Sequence, residues 1–243
     1  MPVAVITGGA SGTGLAIAER LLDDGWKVAV IDSDRAALAE AEETLSGEEA
    51  IFLAADVTDE DEIAEAFDQV VDALGPFSAL VNAASTRREG LFEEVSAELL
   101  REALELNLVG PFIAAEAALE RREDGLSIVN LISVSGLRAS SGSTAYGASQ
   151  AGVKMMAEVM ALELASRGVR VNCVAVGPME SPFIHDAERQ RPWLERTPLG
   201  RPVNVREVTA AVAYLLSPEA GSVTGHTLVI DGGFSAAGLL RDD

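Results

Sequence analysis

The chain contains few of the residues that usually form disulfides, bind metal ions or contact nucleic acid. A single cysteine, Cys173, excludes an internal disulfide and is interpreted as a small buried residue. The two histidines, His185 and His226, stand apart and do not form a pattern of metal ligands. Lysine occurs only at positions 27 and 154, and the formal net charge is −21. The isolated histidines predict no metal centre, and because such a surface would repel phosphates, we expect no nucleic-acid partner.

Long hydrophobic runs are also missing. No apolar run reaches the roughly 18 residues that a membrane-spanning helix needs. The first residues, MPVAVITGG, lack the basic region of a signal peptide and lead directly into a glycine-rich turn, so they predict a first strand. These absences favour a cytoplasmic location. No linker rich in glycine, proline or serine divides the chain, and we therefore predict a single domain over residues 1–243.

Hydrophobic residues make up 48% of the chain and follow a repeating order. Short apolar runs alternate with longer stretches of helical period, which predicts parallel strands joined by right-handed crossovers. The expected fold class is α/β, a doubly wound sheet of seven parallel strands with helices on both faces. The predicted strands are Val3–Thr7, Val28–Asp32, Ile51–Ala55, Ala79–Asn82, Ser127–Ser133, Arg170–Val176 and Thr227–Asp231. The predicted helices lie near residues 13–24, 34–45, 59–74, 96–120, 144–167 and 205–216.

One irregular segment, residues 177–204, interrupts this alternation. It contains five prolines and connects the sixth strand to the last long helix. A long connection after the carboxyl end of a strand often covers the ligand crevice of such a sheet, so we predict a substrate lid. A surface excursion without a role is the alternative.

The strand, turn and helix at the N-terminus have the pattern of a phosphate-binding loop. The turn TGGASGTG (Thr7–Gly14) lets a pyrophosphate approach the backbone closely, and the helix that follows supplies free N–H groups. Asp32 ends the second strand, where a carboxylate can accept both hydroxyls of an adenosine ribose and repel a 2′-phosphate. Ser11 stands where a basic residue could have bound that phosphate. Both features favour NAD over NADP. Arg35 is the one nearby residue that would favour NADP, and it is interpreted as helix-surface charge.

Asp56 lies just after the third predicted strand and has two interpretations. Its carboxylate can hydrogen-bond the amino group of an adenine. It can equally cap the N-terminus of the helix that follows. Both interpretations stay open at this stage.

The stretch TAYGASQAGVKMM (Thr144–Met156) places Tyr146 and Gln150 one helical turn apart on the same face. The ordinary pKa of tyrosine is ~10, so acid–base work near neutral pH requires a neighbour that stabilises the phenolate. A cation would do so, but the amide of Gln150 is neutral. Lys154 lies one further turn along the helix and could extend toward the site, but it is interpreted as a solvated helix charge or an interface residue.

Several motifs, taken in order, resemble the short-chain dehydrogenase/reductase family over essentially the whole chain. They are TGGASGTG, VNAAS, NLVGPF, IVNLISVSG, AYGASQAGV, VNCVAVGPMES and VTGHTLVIDGG. The resemblance implies a Rossmann-type, nicotinamide-dependent oxidoreductase that interconverts a secondary alcohol and a ketone by hydride transfer. It also implies a homotetramer, with the apolar face of the helix around Lys154–Ala165 and the last strand as contact surfaces.

The resemblance further implies roles for individual positions. Tyr146 is the expected general acid/base, Ser133 hydrogen-bonds the substrate oxygen, and Asn107 supports a proton-conducting water chain. Gln150 stands in place of a lysine that binds the nicotinamide ribose and lowers the pKa of the tyrosine. The expected cofactor-binding residues are Gly8, Ser11, Gly12, Thr13, Gly14, Asp32, Asp56, Val57, Asn82, Tyr146, Gln150, Gly177, Met179 and Ser181. The expected substrate-binding residues are Ser85, Ser135, Arg138, His185 and Trp193.

The chain departs from the family pattern at a few positions, of which Gln150 matters most. Ser85 replaces a glycine at a position where the backbone and the cofactor lie close together. Arg87 and Arg88 follow it and are interpreted as surface charge or, alternatively, as residues that attract an anionic substrate. Without the lysine, proton transfer should slow in both directions, whereas ribose binding should survive. Two functions therefore stay open: an NAD-dependent oxidoreductase with a weakened proton relay, and a catalytically silent dinucleotide-binding or scaffold protein.

Overall fold

The computed structural model describes residues 1–45, 47, 49–179 and 192–237, apart from the side chains of residues 123 and 124. Within these ranges the strands form a seven-stranded parallel sheet in the order β3-β2-β1-β4-β5-β6-β7. This arrangement confirms the predicted fold class. The strands are β1 (Val3–Thr7), β2 (Lys27–Asp32), β3 (Ala50–Ala54), β4 (Phe77–Asn82), β5 (Arg122–Ser133), β6 (Val169–Val176) and β7 (Thr227–Ile230).

The helices follow the strands as the alternating pattern predicts. One boundary differs clearly, because β5 begins at Arg122, where it pairs with Phe77 of β4, several residues before the predicted start. The helices are α1 (Gly12–Asp23), α2 (Arg35–Thr44), α3 (Glu60–Leu74), α4 (Ala97–Leu104), α5 (Gly110–Arg121), α6 (Thr144–Leu164) and α7 (Val205–Leu216).

The predicted continuous helix near residues 96–120 is wrong. A π-helical turn over Glu105–Val109 separates α4 from α5. Pro111 explains the interruption, since it lacks the N–H group that a regular helix would direct at the carbonyl of Asn107. Asn107 lies within this wider turn and is buried, and its amide bonds residues outside the helix.

Both faces of the sheet are covered, as strands with continuous apolar runs predict. Helices α3, α5 and α6 pack on one face, where the rings of Phe67 and Phe77 meet edge to face at 5.5 Å. Helices α1, α2 and α7 pack on the other face. The chain order reverses between β1 and β4, so the crevice for a ligand is expected at the carboxyl ends of these two strands.

The acidic residues lie mostly on solvated helix faces, as predicted. In α2, for example, Glu40, Glu42 and Glu43 are exposed while Leu38 and Ala41 are buried. Within the described ranges, no helix combines the length and hydropathy needed to cross a bilayer.

Candidate active site

The turn between β1 and α1 is shaped by glycines. Gly12 has a φ of +54°, and the space into which a Cβ would project is open for 4 Å. Gly8 faces the turn after β4, where a Cβ would lie 2.4 Å from the Cα of Ala84. Gly14 sits behind the turn, since its Cβ would lie 2.1 Å from the carbonyl oxygen of Gly8. The turn is therefore packed against β4 on one side and open on the side of the crevice.

The first turn of α1 is available to an anion. Ser11 is the N-cap residue in an extended conformation, and its hydroxyl makes no capping bond to the helix. The N–H groups of a first helical turn have no partners within the helix and attract negative charge. Thr13 Oγ1 lies 3.8 Å from Met179 Sδ, so the start of α1 contacts the segment that follows β6.

Asp32 ties the end of β2 to the glycine-rich turn. Its Oδ2 accepts a hydrogen bond from the Ala10 N–H at 3.2 Å, and its Oδ1 accepts one from the Asp34 N–H at 3.1 Å. The carboxylate is thus fixed beside the turn, at the carboxyl edge of the sheet. This is the place where the sequence predicts a ribose-binding carboxylate.

The interpretation of Asp56 as a helix cap is wrong. Asp59 caps α3 instead, accepting bonds from the N–H groups of Asp61 and Glu62. The carboxylate of Asp56 accepts bonds from the N–H and hydroxyl of Thr58, at 2.9 and 2.8 Å, in a turn after β3.

Three predicted cofactor residues lie at or just after the carboxyl ends of strands β3, β4 and β6. Asn82 is buried within the sheet, where its Oδ1 accepts a bond from Thr7 at 3.2 Å and its Nδ2 donates to Asn130 Oδ1 at 2.9 Å. Val57 is buried, and Gly177 lies where a Cβ would come within 2.6 Å of Asp231. Both ends of the Asn82 amide are therefore hydrogen-bonded within the sheet. Asn82 can affect a bound nucleotide only by fixing the positions of the strand ends around it.

Tyr146 is at the centre of a polar cluster at the carboxyl edge. The hydroxyls of Ser133, at the end of β5, and of Ser85, after β4, lie near its phenol and act on its pKa. The guanidinium of Arg87 lies over the ring, 5.9 Å from its centre. Burial raises the pKa of Tyr146; the two hydroxyls and Arg87 act against this effect, Glu89 adds to it, and the net direction is upward.

Gln150 is 2% exposed and has a structural contact that the sequence did not indicate. Its Oε1 accepts a hydrogen bond from the Ser133 N–H at 2.8 Å. The amide therefore joins α6 to the end of β5, and it fixes the backbone of the serine that contacts Tyr146. Helical spacing places Gln150 near Tyr146, but it cannot show which strand residue the amide meets.

Asn107 connects three elements around Tyr146. Its Oδ1 accepts a bond from the Thr86 N–H at 2.7 Å, and its Nδ2 donates to the Thr86 carbonyl at 2.9 Å and to Ser149 Oγ at 3.0 Å. Ser149 in turn donates to the carbonyl of Tyr146 at 2.8 Å. The amide thus holds the loop after β4 against α6, which brings Ser85 to the phenol.

Lys154 does not reach this cluster. Its Nζ is paired with Glu158 Oε1 at 2.5 Å along the same helix. This pairing within α6 agrees with the interpretation of Lys154 as a helix charge.

The predicted substrate residues are only partly brought together. Ser135 is nearly buried, and its hydroxyl lies 3.2 Å from that of Ser133. Arg138 Nε donates to the Ser235 carbonyl at 2.9 Å, and the ring of Trp193 lies 5.2 Å from that of Phe234. Phe234 and Ser235, which contact two of the predicted substrate residues, are not among the site residues that the sequence predicts. The preceding DGG turn after β7 is the signal that could have indicated them.

The central part of the predicted lid, residues 180–191, lies outside the described residues, and so do the predicted sites Ser181 and His185. Its two ends are described and meet each other. The Val203 N–H donates to the Pro178 carbonyl at 2.8 Å, beside a bridge between Met179 and Val203. Residues 179 and 203 therefore lie side by side at the carboxyl edge.

The only cysteine is predicted to be inert in the folded protein. Cys173 is 1% exposed in the middle of β6, and burial raises the pKa of its thiol to about 12. Because the thiolate is the reactive form, a colorimetric thiol reagent at pH 8 should not label the native protein. The same reagent should label one thiol per chain after unfolding in urea, which is the control. Rapid labelling without urea would contradict the buried position.

These features define a class of protein. A doubly wound parallel sheet, a glycine-rich turn at the point where the strand order reverses, and a tyrosine and serine at the same edge are the parts of a dinucleotide-binding oxidoreductase.

Comparison with known proteins identifies the family. The family model described as "Enoyl-(Acyl carrier protein) reductase" matches residues 8–235. The human protein "3-oxoacyl-[acyl-carrier-protein] reductase" is 34% identical over 233 residues, covering 95% of this chain and 97% of the relative. The "NADP-dependent (R)-specific alcohol dehydrogenase" of Lentilactobacillus kefiri is 32% identical over 243 residues, covering 96% of each chain.

A solved structure agrees with this result. The crystal structure of gox2181 superposes with a TM-score of 0.92 at 30% sequence identity, covering 97% of this chain and 96% of that one. The chain therefore belongs to the short-chain dehydrogenase/reductase family of oxidoreductases, whose members bind a nicotinamide dinucleotide.

Proposed function

We propose that the protein is an NAD-dependent oxidoreductase that interconverts a secondary alcohol and a ketone, with a weakened proton relay. The observation that carries this proposal is the polar cluster at the carboxyl edge, where the hydroxyl of Ser133 lies beside the phenol of Tyr146 and acts on its pKa. A phenol and a hydroxyl in contact can hold one carbonyl or alcohol oxygen between them. Either group alone would be unremarkable on a protein surface.

The described residues fit a nicotinamide dinucleotide. The open side of Gly12 and the uncapped first turn of α1 suit a pyrophosphate, and Asp32 stands where the adenosine ribose would lie. The proposed preference for NAD rests on the charge of Asp32. The relative from Lentilactobacillus kefiri is named as NADP-dependent, so the family includes the opposite preference.

The bound nicotinamide would supply the carbon that accepts or releases hydride. In alcohol oxidation the phenolate of Tyr146 takes the proton of the substrate hydroxyl, while the Ser133 hydroxyl donates a hydrogen bond to the same oxygen. In ketone reduction the phenol returns that proton. Asn107 holds the loop after β4 in place and is proposed to support the path of the proton to solvent.

We also propose that Gln150 occupies the place of the family lysine. Its Oε1 accepts the hydrogen bond from the Ser133 N–H, which leaves the NH₂ group as the donor for the nicotinamide ribose. A neutral amide cannot stabilise the phenolate as a cation would. The upward direction of the Tyr146 pKa agrees with this account. The missing cation also favours the second candidate, a dinucleotide-binding protein without turnover.

Turnover measurements decide between the two candidates. The absorbance of NADH is followed with a panel of polyols, cyclic alcohols and ketones from pH 6 to pH 10, and NADH binding is measured separately by fluorescence. We expect slow oxidation that becomes faster with rising pH, because the phenolate is the active base. If NADH binds while neither the natural protein nor Gln150→Lys turns over any substrate, the silent candidate is correct.

The preference for NAD predicts the behaviour of Asp32→Ala. Losing a carboxylate that accepts ribose hydroxyls should weaken NADH binding by about tenfold, and removing the negative charge should strengthen NADPH binding. The ratio of the two dissociation constants, measured by fluorescence titration, is the readout. Ser33→Ala is the matched control and should leave the ratio unchanged. An unchanged ratio in Asp32→Ala, with a normal melting temperature, would show that the carboxylate does not select the cofactor.

The homotetramer and the cytoplasmic location stay predictions. One observation supports self-association: α6 exposes Met155, Val159 and Leu162 at helical spacing, with exposed fractions of 57%, 42% and 83%. These side chains form part of the apolar helix face from which the contact surface is expected.

A further inference from the structure

The loop that follows β4 places a cation beside Tyr146. The guanidinium carbon of Arg87 lies 5.9 Å from the centre of the phenol ring, within the distance at which a cation is attracted by an aromatic face. The interpretation of Arg87 as surface charge alone does not account for this position. A phenolate ring carries full negative charge, so the same cation is attracted more strongly once the phenol ionises.

The loop is fixed on both sides of Arg87. On one side the amide of Asn107 bonds both the N–H and the carbonyl of Thr86. On the other side the Gly90 N–H donates to the Gly142 carbonyl at 3.0 Å, just before α6 begins. Between these points the Arg87 guanidinium is paired with the Glu89 carboxylate, Nε to Oε1, at 2.8 Å. The backbone on both sides of Arg87 is therefore fixed, and the guanidinium itself is held by its pairing with Glu89.

We propose that Arg87 is the electrostatic partner of Tyr146, supplying part of the stabilisation of the phenolate that a lysine at position 150 would otherwise give. Arg87 does not touch substrate or cofactor in this proposal. It acts through Tyr146, and its relevance to turnover rests on the proposed role of that phenol. In this proposal the cation that stabilises the phenolate comes from the loop after β4 and not from α6.

The expected contribution is partial. The side chain of Arg87 is 49% exposed, so water screens its charge, and Glu89 is a counter-charge on the same loop. At such exposed sites a cation beside an aromatic ring changes an equilibrium by about two- to fivefold. Arg87 and Glu89 act on the phenol in opposite directions. Neutralising Arg87 and neutralising Glu89 should therefore shift the ionisation of the phenol in opposite directions. This contrast separates a specific effect from a general change of charge.

The other described charges near α6 do not replace Arg87. Lys154 is paired with Glu158 and lies beside Cys173, and Arg138 donates to the Ser235 carbonyl. The hydroxyls of Ser85 and Ser133 lie near the phenol but carry no charge. Among these groups, the guanidinium of Arg87 is the one whose charge favours the phenolate.

The composition of the chain allows a direct test without substrate. Tyr146 and Tyr214 are the two tyrosines, so Tyr214→Phe leaves a single phenol. Incorporating 3-fluorotyrosine into that protein gives one ¹⁹F resonance, whose chemical shift is followed against pH while circular dichroism monitors the fold. Fluorination makes the phenol more acidic, so that it titrates at a lower pH than the one at which the protein unfolds in alkali. The variants Arg87→Gln, Arg87→Lys, Glu89→Gln and Arg88→Gln are compared in this background.

We expect Arg87→Gln to lower the phenolate fraction at a fixed pH by about two- to fivefold, and Glu89→Gln to raise it. Arg87→Lys should retain most of the natural value, and Arg88→Gln, which removes the same charge one residue away, should change it much less. Equal shifts in Arg87→Gln and Arg88→Gln, or no shift in either, would overturn the proposal. Because no turnover is needed, a silent protein with these shifts would refute the proposed function and still leave the role of Arg87 intact.

Discussion

Replacing Gln150 by lysine should increase the rate of alcohol oxidation at pH 7 and move its optimum toward lower pH. A cation about 4 Å from a phenolate at an effective dielectric near 20 is worth about 4 kcal/mol. Part of that is lost because the lysine is itself desolvated in a position that is 2% exposed. We therefore expect a gain of about ten- to a hundredfold in kcat/KM at pH 7. The gain should shrink at high pH, where the natural phenol also ionises.

The same substitution should make the protein less stable. Gln150 accepts the N–H of Ser133, and a lysine cannot accept a hydrogen bond. Leaving that buried donor without a partner should cost about 1–3 kcal/mol in the free energy of unfolding. Urea denaturation of the two proteins measures this loss. A gain in rate together with a loss in stability would show that the amide has a structural function which the lysine does not provide.

Gln150→Met is the matched control for both effects. It removes the acceptor and adds no charge, so it should lose stability as the lysine variant does and gain no activity. If Gln150→Lys folds, binds NADH and still oxidises alcohols no faster than the natural protein, a missing cation is not what limits the proton relay.

The sequence predicts most of the fold because the relevant signals are local. Alternation of apolar runs and helical periods finds each strand of the sheet, and the turn TGGASGTG marks where β1 enters α1. The interruption between α4 and α5 was missed because the apolar period continues through it. Pro111 is the local signal that could have revealed it, since a proline inside a helix removes a hydrogen bond.

The candidate site is predictable in its residue types but not in its contacts. Ser133, Tyr146 and Asn107 can be found from motifs, but their partners belong to loops far away in the chain. The bonds from Asn107 to Thr86 and from Gln150 to Ser133 depend on how α6 packs against β5 and on the loop after β4. Arg87 illustrates the same limit. An arginine in a loop is usually surface charge, and only the tertiary structure places it over a tyrosine ring.

Removing the phenol oxygen should have the largest effect on turnover. In Tyr146→Phe the hydroxyls of Ser133 and Ser85 remain but no group is left to exchange a proton with the substrate, so kcat should fall by about 10²- to 10⁴-fold. Tyr214 lies on α7 and is 45% exposed, so Tyr214→Phe is the control and should keep its activity. NADH affinity, measured by fluorescence, should stay unchanged in Tyr214→Phe, and in Tyr146→Phe, which also removes an expected cofactor contact, it should fall far less than turnover. Substrate turnover above a tenth of the natural rate would remove Tyr146 from the mechanism.

The double variant tests how Gln150 and Tyr146 are connected. If the cation at position 150 works by stabilising the phenolate, adding Gln150→Lys to Tyr146→Phe should restore no activity, because the group on which the cation acts is gone. Strong non-additivity of this kind is expected when two residues act through one interaction. An equal gain from Gln150→Lys with and without the phenol would mean that the lysine acts by binding the cofactor. In that case the raised pKa of Tyr146 would not be the cause of slow turnover.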